Sequence, residues 1–367
     1  MDNPVEQSAL ASMQDWRFYL SPAAAWEAMY ADCAAAKRSI ELEQYILEND
    51  EIGQKFMKLF IEKAAQGLRV FIICDKFGSF SFRNSPLVQE LRRRGGLFHF
   101  YHPVTIWNLL MPWSWFPRTH VKTLLIDSSI TYVGGVCIAE RMADWRDTQI
   151  RVTGPVAEQV RATFDSMEKA IRRRRPAKIP PFPRQGEDIR YLQNHPRQER
   201  HLLYNELMMA LRGAKDYISI STGFFAPNRR FLRSLKAASR RGVQVTLLVP
   251  QFSDVLLADW TCLSYAAPLL RAGVRIFHYQ PTVLHNKIVI VDDAWATIGS
   301  TNMDILSFFR NRESNLVITR RDIIAALKKD FVTDLQSSKE LTQAALAELP
   351  LWKRLGGYMG RALKSFW

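Results

Sequence analysis

Hydrophobic and polar residues follow two periods along the chain, one typical of amphipathic helices and the other typical of strands. In residues 1–34 apolar residues recur at helical spacing after a Ser21-Pro22 start, so this N-terminal segment is predicted to be helical. Its apolar positions are Ala23, Trp26, Met29, Tyr30 and Cys33. Strand-like alternation begins at residue 37, which places the start of the repeated fold near residue 35.

From residue 35 onward the pattern occurs twice. An alternating strand over 37–45 matches one over 215–223, and a helix, a glycine and a buried strand over 62–75 match those over 236–250. Helices that alternate with buried strands predict an α/β fold with a mostly parallel sheet, built twice. We therefore predict two lobes, residues 35–171 and residues 201–336.

Two segments lie outside the repeat. Clustered prolines and the basic run 172–175 predict that residues 172–200 are a surface linker. The arginines of that run either bind phosphate or form the solvated end of the preceding helix. Residues 337–367 are predicted to form an amphipathic, membrane-associating tail, because residues 350–367 carry apolar and basic residues at helical spacing, with Trp352 and Trp367 at the membrane. The alternative is a helix that docks on the protein's own core.

The first copy also carries an insertion in front of its histidine. Pro281 precedes His285 by four positions, whereas Pro103 precedes His120 by 17, so the insertion is 13 residues long. It is uncharged over its main stretch and contains the tryptophans Trp107, Trp113 and Trp115. Tryptophan is favoured at bilayer interfaces, and the second copy needs no residues here, so we expect a membrane-contacting loop rather than core.

The amino-acid composition limits the class of binding partner but does not identify the partner. The 367 residues include 50 Lys and Arg against 36 Asp and Glu, a net charge of +14, which favours nucleic acid or an acidic membrane surface. The four scattered cysteines are typical of reduced thiols in a cytosolic protein. No secretory signal and no stretch of ~18 consecutive apolar residues is found, so a membrane partner would be bound at its surface.

Each copy places a histidine and a lysine two residues apart at the start of an apolar run. These pairs are His120 with Lys122 and His285 with Lys287. The two-residue period of a strand puts both side chains of a pair on one face. An imidazole can attack phosphorus or move a proton, and an ammonium can hold phosphate oxygens. A single pair is typical of an ordinary half-exposed strand, but its occurrence in both copies indicates chemistry.

Acidic residues recur at matching distances after each pair. Asp127 and Asp292 lie five positions after the lysines. Asp147 lies 27 residues after the first histidine, and Glu313 lies 28 after the second. A carboxylate at an equivalent place in each half is what a histidine base needs to fix its tautomer and orientation.

The duplicated His-x-Lys-x4-Asp motif resembles the signature of the phospholipase D superfamily. The residues at 145–148, 151–155 and 299–304 are most similar to the bacterial cardiolipin synthase branch, and the resemblance spans roughly residues 35–335. It implies two tandem phospholipase D-like α/β/α lobes packed face to face with pseudo-two-fold symmetry. The histidines and lysines of both lobes are then expected to converge on one phosphate.

The resemblance also implies a role for each site residue. His120 is expected to attack phosphorus, on family analogy alone because the sequence is symmetric here, and His285 is expected to protonate the departing alcohol. The residues expected to hold the phosphate oxygens are Lys122, Lys287, Ser300 and Asn302. Asp147 is expected to orient His120, and Glu313 is expected to orient His285.

Two further expectations complete the site. Asp127 and Asp292 lie at the far ends of their strands and are expected to be structural. Cys137 stands where the second copy has Asn302, so the first half lacks one amide donor. No metal-ligand spacing or nucleotide-binding glycine loop occurs, and no cofactor or metal is expected.

The leading hypothesis from the sequence is a phosphatidyltransferase that makes cardiolipin from phosphatidylglycerol and a second phospholipid through a phosphohistidine. The expected partner is an anionic phospholipid membrane, and the expected location is the cytoplasmic face of the bacterial inner membrane. One alternative is a phospholipase D-type hydrolase or a phosphodiesterase acting on nucleic acid, which the uncharged tryptophan insertion disfavours. Another is a degenerate membrane scaffold, which the two intact histidine–lysine pairs disfavour.

Overall fold

The computed structural model describes residues 15–101, 116–173, 186–194, 201–348 and 350, which form two lobes that are each built on one sheet. The strands of the first lobe are β1 (Trp16–Tyr19), β2 (Ser39–Gln44), β3 (Arg69–Asp75), β4 (Leu97–Tyr101), β5 (Lys122–Ile126), β6 (Ile130–Gly134) and β7 (Gln149–Thr153). Its helices are α1 (Pro22–Ala35), α2 (Glu51–Ala65), α3 (Pro86–Arg93) and α4 (Val156–Arg173).

The second lobe repeats this plan with additions near its end. Its strands are β8 (Ile189–Asn194), β9 (Tyr217–Thr222), β10 (Phe225–Ala226), β11 (Gln244–Pro250), β12 (Arg275–Tyr279), β13 (Lys287–Val291), β14 (Trp295–Gly299), β15 (Met303–Asp304), β16 (Glu313–Ile318) and β17 (Ser338–Glu340). Its helices are α5 (Leu202–Gly213), α6 (Arg229–Arg240), α7 (Leu256–Leu270), α8 (Ile305–Phe309), α9 (Arg321–Gln336) and α10 (Gln343–Ala347).

The strand order is the same in the two sheets. It is β1-β7-β6-β5-β2-β3-β4 in the first lobe and β8-β16-β14-β13-β9-β11-β12 in the second, where β17 extends the sheet beyond β12. The predicted α/β fold built twice is therefore confirmed. The predicted mostly parallel sheet is wrong, because within the two large sheets of the described residues the neighbours that run parallel are β2-β3-β4 and β9-β11-β12, and the others are antiparallel.

Tight hairpin turns explain the antiparallel part of each sheet. The turn between β5 and β6 contains Asp127 and Ser128 at φ of 51° and 57°, and the turn between β13 and β14 contains Asp292 and Asp293 at 52° and 51°. Two consecutive residues with positive φ form the kind of turn that suits the twist of a hairpin. The strand that follows each histidine–lysine pair therefore turns straight back, with no crossover helix.

Each lobe begins one strand earlier than the sequence pattern predicts. Strand β1 pairs with β7 and strand β8 pairs with β16, both antiparallel. The helical prediction for residues 1–34 thus holds for α1 but is wrong for β1, and part of the predicted linker 172–200 is the edge strand β8. Both strands were short enough to be overlooked, yet each packs apolar side chains on the core between the sheets. Linker residues 174–185 and 195–200 lie outside the described ranges.

The expected helix ends are set by glycine. Gly67 follows α2 at φ 88°, and Gly242 follows α6 at φ 92°. A residue with a side chain is strained in this left-handed conformation, which glycine adopts freely. The chain can therefore leave each helix directly into the buried strand, β3 or β11, that leads toward the site.

Three large apolar cores hold the layers together. A central core between the sheets takes residues from both lobes, including α4 and α9, and one outer core lies under the remaining helices of each lobe. Representative central residues are Phe71, Val133, Phe164, Ile290, Leu316 and Leu327. The lobes therefore pack face to face, as the resemblance implies.

The segments predicted to contact a membrane are mostly outside the described ranges. Trp107, Trp113, Trp115, Trp352 and Trp367 all fall there, so their membrane contacts stay predictions. At the start of the predicted tail 337–367, β17 adds to the second sheet beside β12. No helix within the described parts of the chain is long and apolar enough to cross a bilayer.

Candidate active site

Backbone contacts between the lobes position both histidines. Two isolated bridges join the lobes, one just before each histidine. The N–H of His120 donates to the carbonyl of Arg312 and the N–H of His285 donates to the carbonyl of Arg146, both at 2.8 Å. The segment before each histidine is thus paired with the segment before the carboxylate of the opposite lobe.

Because of this backbone pairing, each histidine contacts the carboxylate of the opposite lobe rather than that of its own lobe. Nδ1 of His120 lies 3.1 and 3.0 Å from the carboxylate oxygens of Glu313, and Nδ1 of His285 lies 2.6 Å from Oδ2 of Asp147. The prediction that Asp147 orients His120, and that Glu313 orients His285, is therefore wrong. With Nδ1–H donated to a carboxylate, the neutral ring carries its free lone pair on Nε2.

The arginine before each carboxylate also reaches across to the other lobe. Arg312 contacts the carboxylate of Glu43 on β2 at 3.0 Å, and both side chains are buried. Arg146 donates from Nε to Asp334 on α9 at 2.8 Å. Removing one partner of a buried pair leaves an uncompensated charge and costs about 3–5 kcal/mol. These arginines therefore hold the crossed arrangement in place.

The two lysines are almost fully buried beside their histidines. The ammonium of Lys122 donates to the carbonyl of His120 at 2.8 Å, and that of Lys287 donates to the carbonyl of His285. An ammonium has three N–H groups, so each lysine retains donors for an anion. Each half-site therefore offers one imidazole and one cation from the same strand end.

Burial dominates the electrostatics of the site. It lowers the pKa of His120 to about 4 against the opposing effect of Glu313. Burial and Lys287 also lower the pKa of His285. Burial lowers the pKa of Lys287 to about 8. Burial alone would raise the pKa of Asp147, but His285 and Lys287 outweigh it and the pKa is lowered. Near pH 7 the imidazoles of His120 and His285 are therefore neutral, whereas the side chains of Lys287 and Asp147 are charged.

Ser300 and Asn302 have different places in the site. The hydroxyl of Ser300 is fully buried, donates to the carboxylate of Glu313, and accepts from the N–H of Ser314 at 2.9 Å. Ser300 therefore supports Glu313. Neither Ser300 nor the buried Lys122 and Lys287 are among the residues that line the cavity, and their phosphate contacts stay predictions. Asn302 does border the cavity, and its buried Oδ1 has no hydrogen-bond partner among the described residues.

The first lobe has smaller residues at the corresponding positions. A Cβ on Gly135, the counterpart of Ser300, would come within 2.1 Å of Oδ1 of Asp147. Glycine is therefore required for this close approach of Asp147. Cys137, the counterpart of Asn302, borders the cavity, and burial raises the pKa of its thiol, so the thiol is neutral.

Asp127 and Asp292 lie away from the histidines, at the hairpin turns. Asp127 accepts from the backbone N–H groups of residues 37–39 at 2.7–2.9 Å, and Asp292 accepts from those of residues 215–217 at 2.7–2.9 Å. Each carboxylate thus ties the start of β2 or β9 to the neighbouring hairpin. This geometry supports a structural role.

One cavity of about 400 Å³ is bordered by His120 and His285 together. Much of its lining is apolar and includes Tyr45, Phe77, Phe116, Met142, Phe224 and Leu306. No cluster of three or more metal-ligating side chains occurs in the part of the chain that the structure describes. The cavity can therefore hold a phosphate ester between two imidazoles beside apolar groups.

Sequence reasoning missed the aromatic residues that flank the histidines. The ring of Tyr45 lies 4.8 Å from the ring of His120, and the ring of Trp145 lies 5.3 Å from that of His285, both edge to face. Tyr45 directly follows β2, where an alternating pattern gives no hint of a functional residue. Trp145 stands two residues before Asp147, which is a local signal that could have identified it.

Comparisons with known proteins agree with this geometry. A family model described as a cardiolipin synthase, PLD-like domain matches residues 207–335. The cardiolipin synthase of Staphylococcus aureus is 32% identical over 358 residues, which cover 94% of this chain and 72% of that protein. The major cardiolipin synthase of Bacillus subtilis is 29% identical over 351 residues, which cover 92% and 72%.

Two solved structures share the fold over nearly the whole chain. Phosphatidylserine synthase from Haemophilus influenzae matches with a TM-score of 0.73 at 15% identity, covering 96% of this chain and 92% of that chain. Polyphosphate kinase from Porphyromonas gingivalis matches with a TM-score of 0.63 at 16% identity, covering 96% and 53%. At these identities the matches establish the two-lobed fold alone.

Proposed function

The chain belongs to the cardiolipin synthase family of phospholipase D-like phosphatidyltransferases, and on this premise we propose that it makes cardiolipin by transferring a phosphatidyl group from one phospholipid to phosphatidylglycerol. The observation that carries the proposal is that His120 and His285, from different lobes, border one largely apolar cavity. Two imidazoles at one phosphate supply both a nucleophile and a proton carrier.

In the first step, Nε2 of His120 attacks the phosphorus of the donor lipid. A nitrogen–phosphorus bond forms while the bond to the headgroup oxygen breaks, and the imidazolium of His285 gives its proton to the departing alcohol. His120 is neutral at pH 7, as a nucleophile must be. The anionic phosphodiester favours protonation of His285 when it binds, because its negative charge offsets the nearby Lys287.

In the second step, a hydroxyl of phosphatidylglycerol attacks the same phosphorus. Its proton passes to Nε2 of His285, the nitrogen–phosphorus bond breaks, and the electron pair returns to His120. The products are cardiolipin and an enzyme in which His120 is released and His285 holds the proton taken from the acceptor. The histidine that acts as acid in one step is thus the base in the other.

The remaining groups stabilise charge and hold geometry. Lys122 and Lys287 lie beside the histidines, where they neutralise the equatorial phosphate oxygens as charge develops. The amide of Asn302 adds a donor from the cavity wall. Glu313 and Asp147 keep the rings of His120 and His285 in the tautomer that exposes Nε2, and they stabilise the imidazolium form.

The apolar lining favours an alcohol acceptor over water. Phosphatidylglycerol carries its hydroxyl groups into the cavity with the lipid, whereas bulk water is restricted by the surrounding aromatic and aliphatic side chains. When water attacks the intermediate, the product is phosphatidic acid. The ratio of cardiolipin to phosphatidic acid therefore reports how well the cavity excludes water.

We also propose an anionic phospholipid bilayer as the partner, bound peripherally at the cytoplasmic face of the bacterial inner membrane. The net charge of +14 supports this, since each Lys or Arg near an anionic surface contributes about 1 kcal/mol. The substrates themselves are lipids, so the enzyme has to meet them at a membrane surface.

Incubation of the purified protein with phosphatidylglycerol vesicles tests the proposed function. We expect cardiolipin and free glycerol in equal amounts, and no product from His120→Ala. Met209→Ser, a change on the exposed surface of α5, serves as the control and should retain activity. If wild-type protein forms neither cardiolipin nor phosphatidic acid, or if His120→Ala forms as much as wild type, the proposal is wrong.

A further inference from the structure

Large apolar side chains are exposed on two loops that occupy equivalent places in the two lobes. The loop after β3 exposes Phe77 by 64% and Phe80 by 61%, and the segment after β11 exposes Phe252 by 68%, Val255 by 37% and Leu256 by 61%. We call these five residues the apolar rim. Exposed side chains of this size that gather in one place mark a binding surface more often than scattered ones do.

The apolar rim lies beside the catalytic cavity and borders it through one residue from each lobe. Phe77 from the first lobe and Val255 from the second both border the cavity that contains His120 and His285. Strands β3 and β11 are equivalent in the two sheets, so the same end of each sheet supplies one side of the rim. A surface that contacts the rim therefore also covers the opening to the histidines.

The size of the cavity leaves the lipid tails outside. A cube of about 400 Å³ has an edge of about 7 Å, near the lower end of the ~300–1,000 Å³ of ligand pockets. An acyl chain spans one leaflet, about 15 Å or half of a hydrocarbon core of about 30 Å. The cavity can thus take a headgroup and its phosphate, while the acyl chains have to remain in an apolar medium at the mouth.

An exposed cation beside the apolar rim suits an anionic surface. The guanidinium of the exposed Arg83 lies 5.7 Å from the ring of Phe80. Arg118 lies 5.8 Å from the ring of Phe77, but it is buried and pairs with the buried Asp75 at 3.5 Å, so this pair adds no net charge. On the other loop Asp254 is exposed and opposes the attraction at that point.

We propose that the apolar rim inserts into the surface of an anionic phospholipid bilayer and seats the catalytic cavity directly on it. This inference rests on the proposed function for the nature of the substrate. Lipids then reach the histidines by moving their headgroups a short way from the bilayer surface into the cavity, and their acyl chains never leave the bilayer. Docking also covers the mouth, which restricts the access of water to the phosphohistidine.

A double variant with one change on each side of the mouth tests the apolar rim. Phe80→Ser/Phe252→Ser alters two exposed residues that do not border the cavity. The matched control is Met209→Ser/Val332→Ser, which removes two exposed apolar side chains from α5 and α9. Co-sedimentation with phosphatidylglycerol vesicles should show binding at least about tenfold weaker for the rim variant, because two apolar side chains no longer insert. The control should bind as wild type does.

Activity on two forms of one lipid separates docking from chemistry. With a short-chain phosphatidylglycerol kept monomeric, the rim variant should turn over within about twofold of wild type. With long-chain vesicles its rate should fall about tenfold, in proportion to its lost binding. An equal loss on monomeric lipid, or unchanged vesicle binding, would overturn the proposal. So would a shift in oligomeric state of the rim variant, which would assign the surface to self-association.

The failure of the proposed function can be told apart from the failure of this inference. If wild-type protein makes no cardiolipin but binds vesicles through the rim, the docking surface stands and the reaction is wrong. If it makes cardiolipin and the rim variant binds vesicles as wild type does, the reaction stands and the docking surface is wrong.

Discussion

The half-site around His120 and the half-site around His285 differ in how their carboxylates are held. Glu313 meets His120 through two oxygens and accepts the hydroxyl of Ser300, whereas Asp147 meets His285 through one oxygen at 2.6 Å. Asp147 has no equivalent hydroxyl, because Gly135 leaves only enough room for the carboxylate itself. The longer side chain of Glu313, held by a serine, and the shorter side chain of Asp147, held by close packing, thus occupy equivalent places beside the two histidines.

This difference shows that a duplicated motif can be preserved in geometry while its supporting residues change. Each half-site also depends on the other lobe, because the carboxylate and the backbone acceptor of each histidine come from across the interface. Neither lobe therefore contains a complete site. The variants below compare the two half-sites, beginning with those expected to have the largest effect.

Removing either histidine should abolish transfer. We expect His120→Ala and His285→Ala each to lower kcat by about 10⁴-fold or more, as for residues that act as a unit. A phosphatidyl ester of p-nitrophenol separates their roles, since its leaving group needs no proton. His285→Ala should still release one equivalent of nitrophenol per enzyme in a rapid burst, and His120→Ala should release none. Equal bursts from both variants would contradict the assigned roles.

Neutral isosteres of the carboxylates test the crossed pairing. Glu313→Gln should slow the nitrophenol burst by about 10³-fold, because His120 loses the partner that fixes its tautomer. Asp147→Asn should leave the burst nearly unchanged and slow the later turnover by a similar factor, because it acts on His285. The opposite pattern would mean that each carboxylate serves the histidine of its own lobe.

Small substitutions at the residues next to each carboxylate should show that Asp147 and Glu313 are held in place in different ways. Gly135→Ala should lower kcat by about 100-fold because its Cβ would displace Asp147, whereas Ser300→Ala should lower it about tenfold through the loss of one hydrogen bond to Glu313. Gly213→Ala is the control, since a Cβ there has no neighbour within 4 Å. A Gly135→Ala enzyme that is fully active and folded would show that Asp147 is not held by packing.

The pH profile of kcat/KM tests the buried lysine of the second half-site. The pKa of Lys287 is about 8, so its positive charge is present below that pH and lost above it. Because kcat/KM reports groups of the free enzyme, loss of the His285 proton already lowers it with rising pH, and we expect the fall to steepen by a further tenfold per pH unit above pH 8. Lys287→Arg, which stays charged, should lose this limb of the profile. A profile that is the same for both proteins would exclude Lys287 as its cause.

The smallest effect should come from the cavity wall of the first half-site. The thiol of Cys137 is buried and neutral, so Cys137→Ala should change kcat by no more than about twofold. Asn302→Ala, which removes an amide from the equivalent position, should cost about fivefold. Steady-state rates on the same vesicles measure both. A larger loss from Cys137→Ala than from Asn302→Ala would reverse the comparison.

Local spacing was enough to predict the repeat and the paired histidines and lysines, and the family resemblance implied the face-to-face lobes. The motif repeats at fixed distances and alternates at the period of a strand, so its side chains could be placed from the sequence. Periodicity does not predict the hairpins, because their signal lies in the turn residues Asp127-Ser128 and Asp292-Asp293 rather than in the strands. The edge strands β1 and β8 were missed because four to six residues carry a weak periodic signal.

The crossing of the carboxylates could not be predicted from either copy alone. Asp147 and Glu313 follow their own histidines at almost equal distances, which suggested pairing within a lobe. The true partners are set by backbone bridges between the lobes and by Arg146 and Arg312, which contact acids of the opposite lobe. Such contacts depend on how the two lobes pack, which the periodicity of one sequence does not determine.

Locating the covalent intermediate tests the central claim most directly, namely that one imidazole from each lobe acts on one phosphorus. Wild-type enzyme and His285→Ala would be mixed with donor lipid, quenched within one turnover and digested for mass spectrometry under conditions that preserve phosphohistidine. We predict a phosphatidyl adduct on the peptide that contains His120, in greater amount in His285→Ala supplied with the p-nitrophenyl ester. Cardiolipin formation by wild type with no adduct on either histidine would contradict the account.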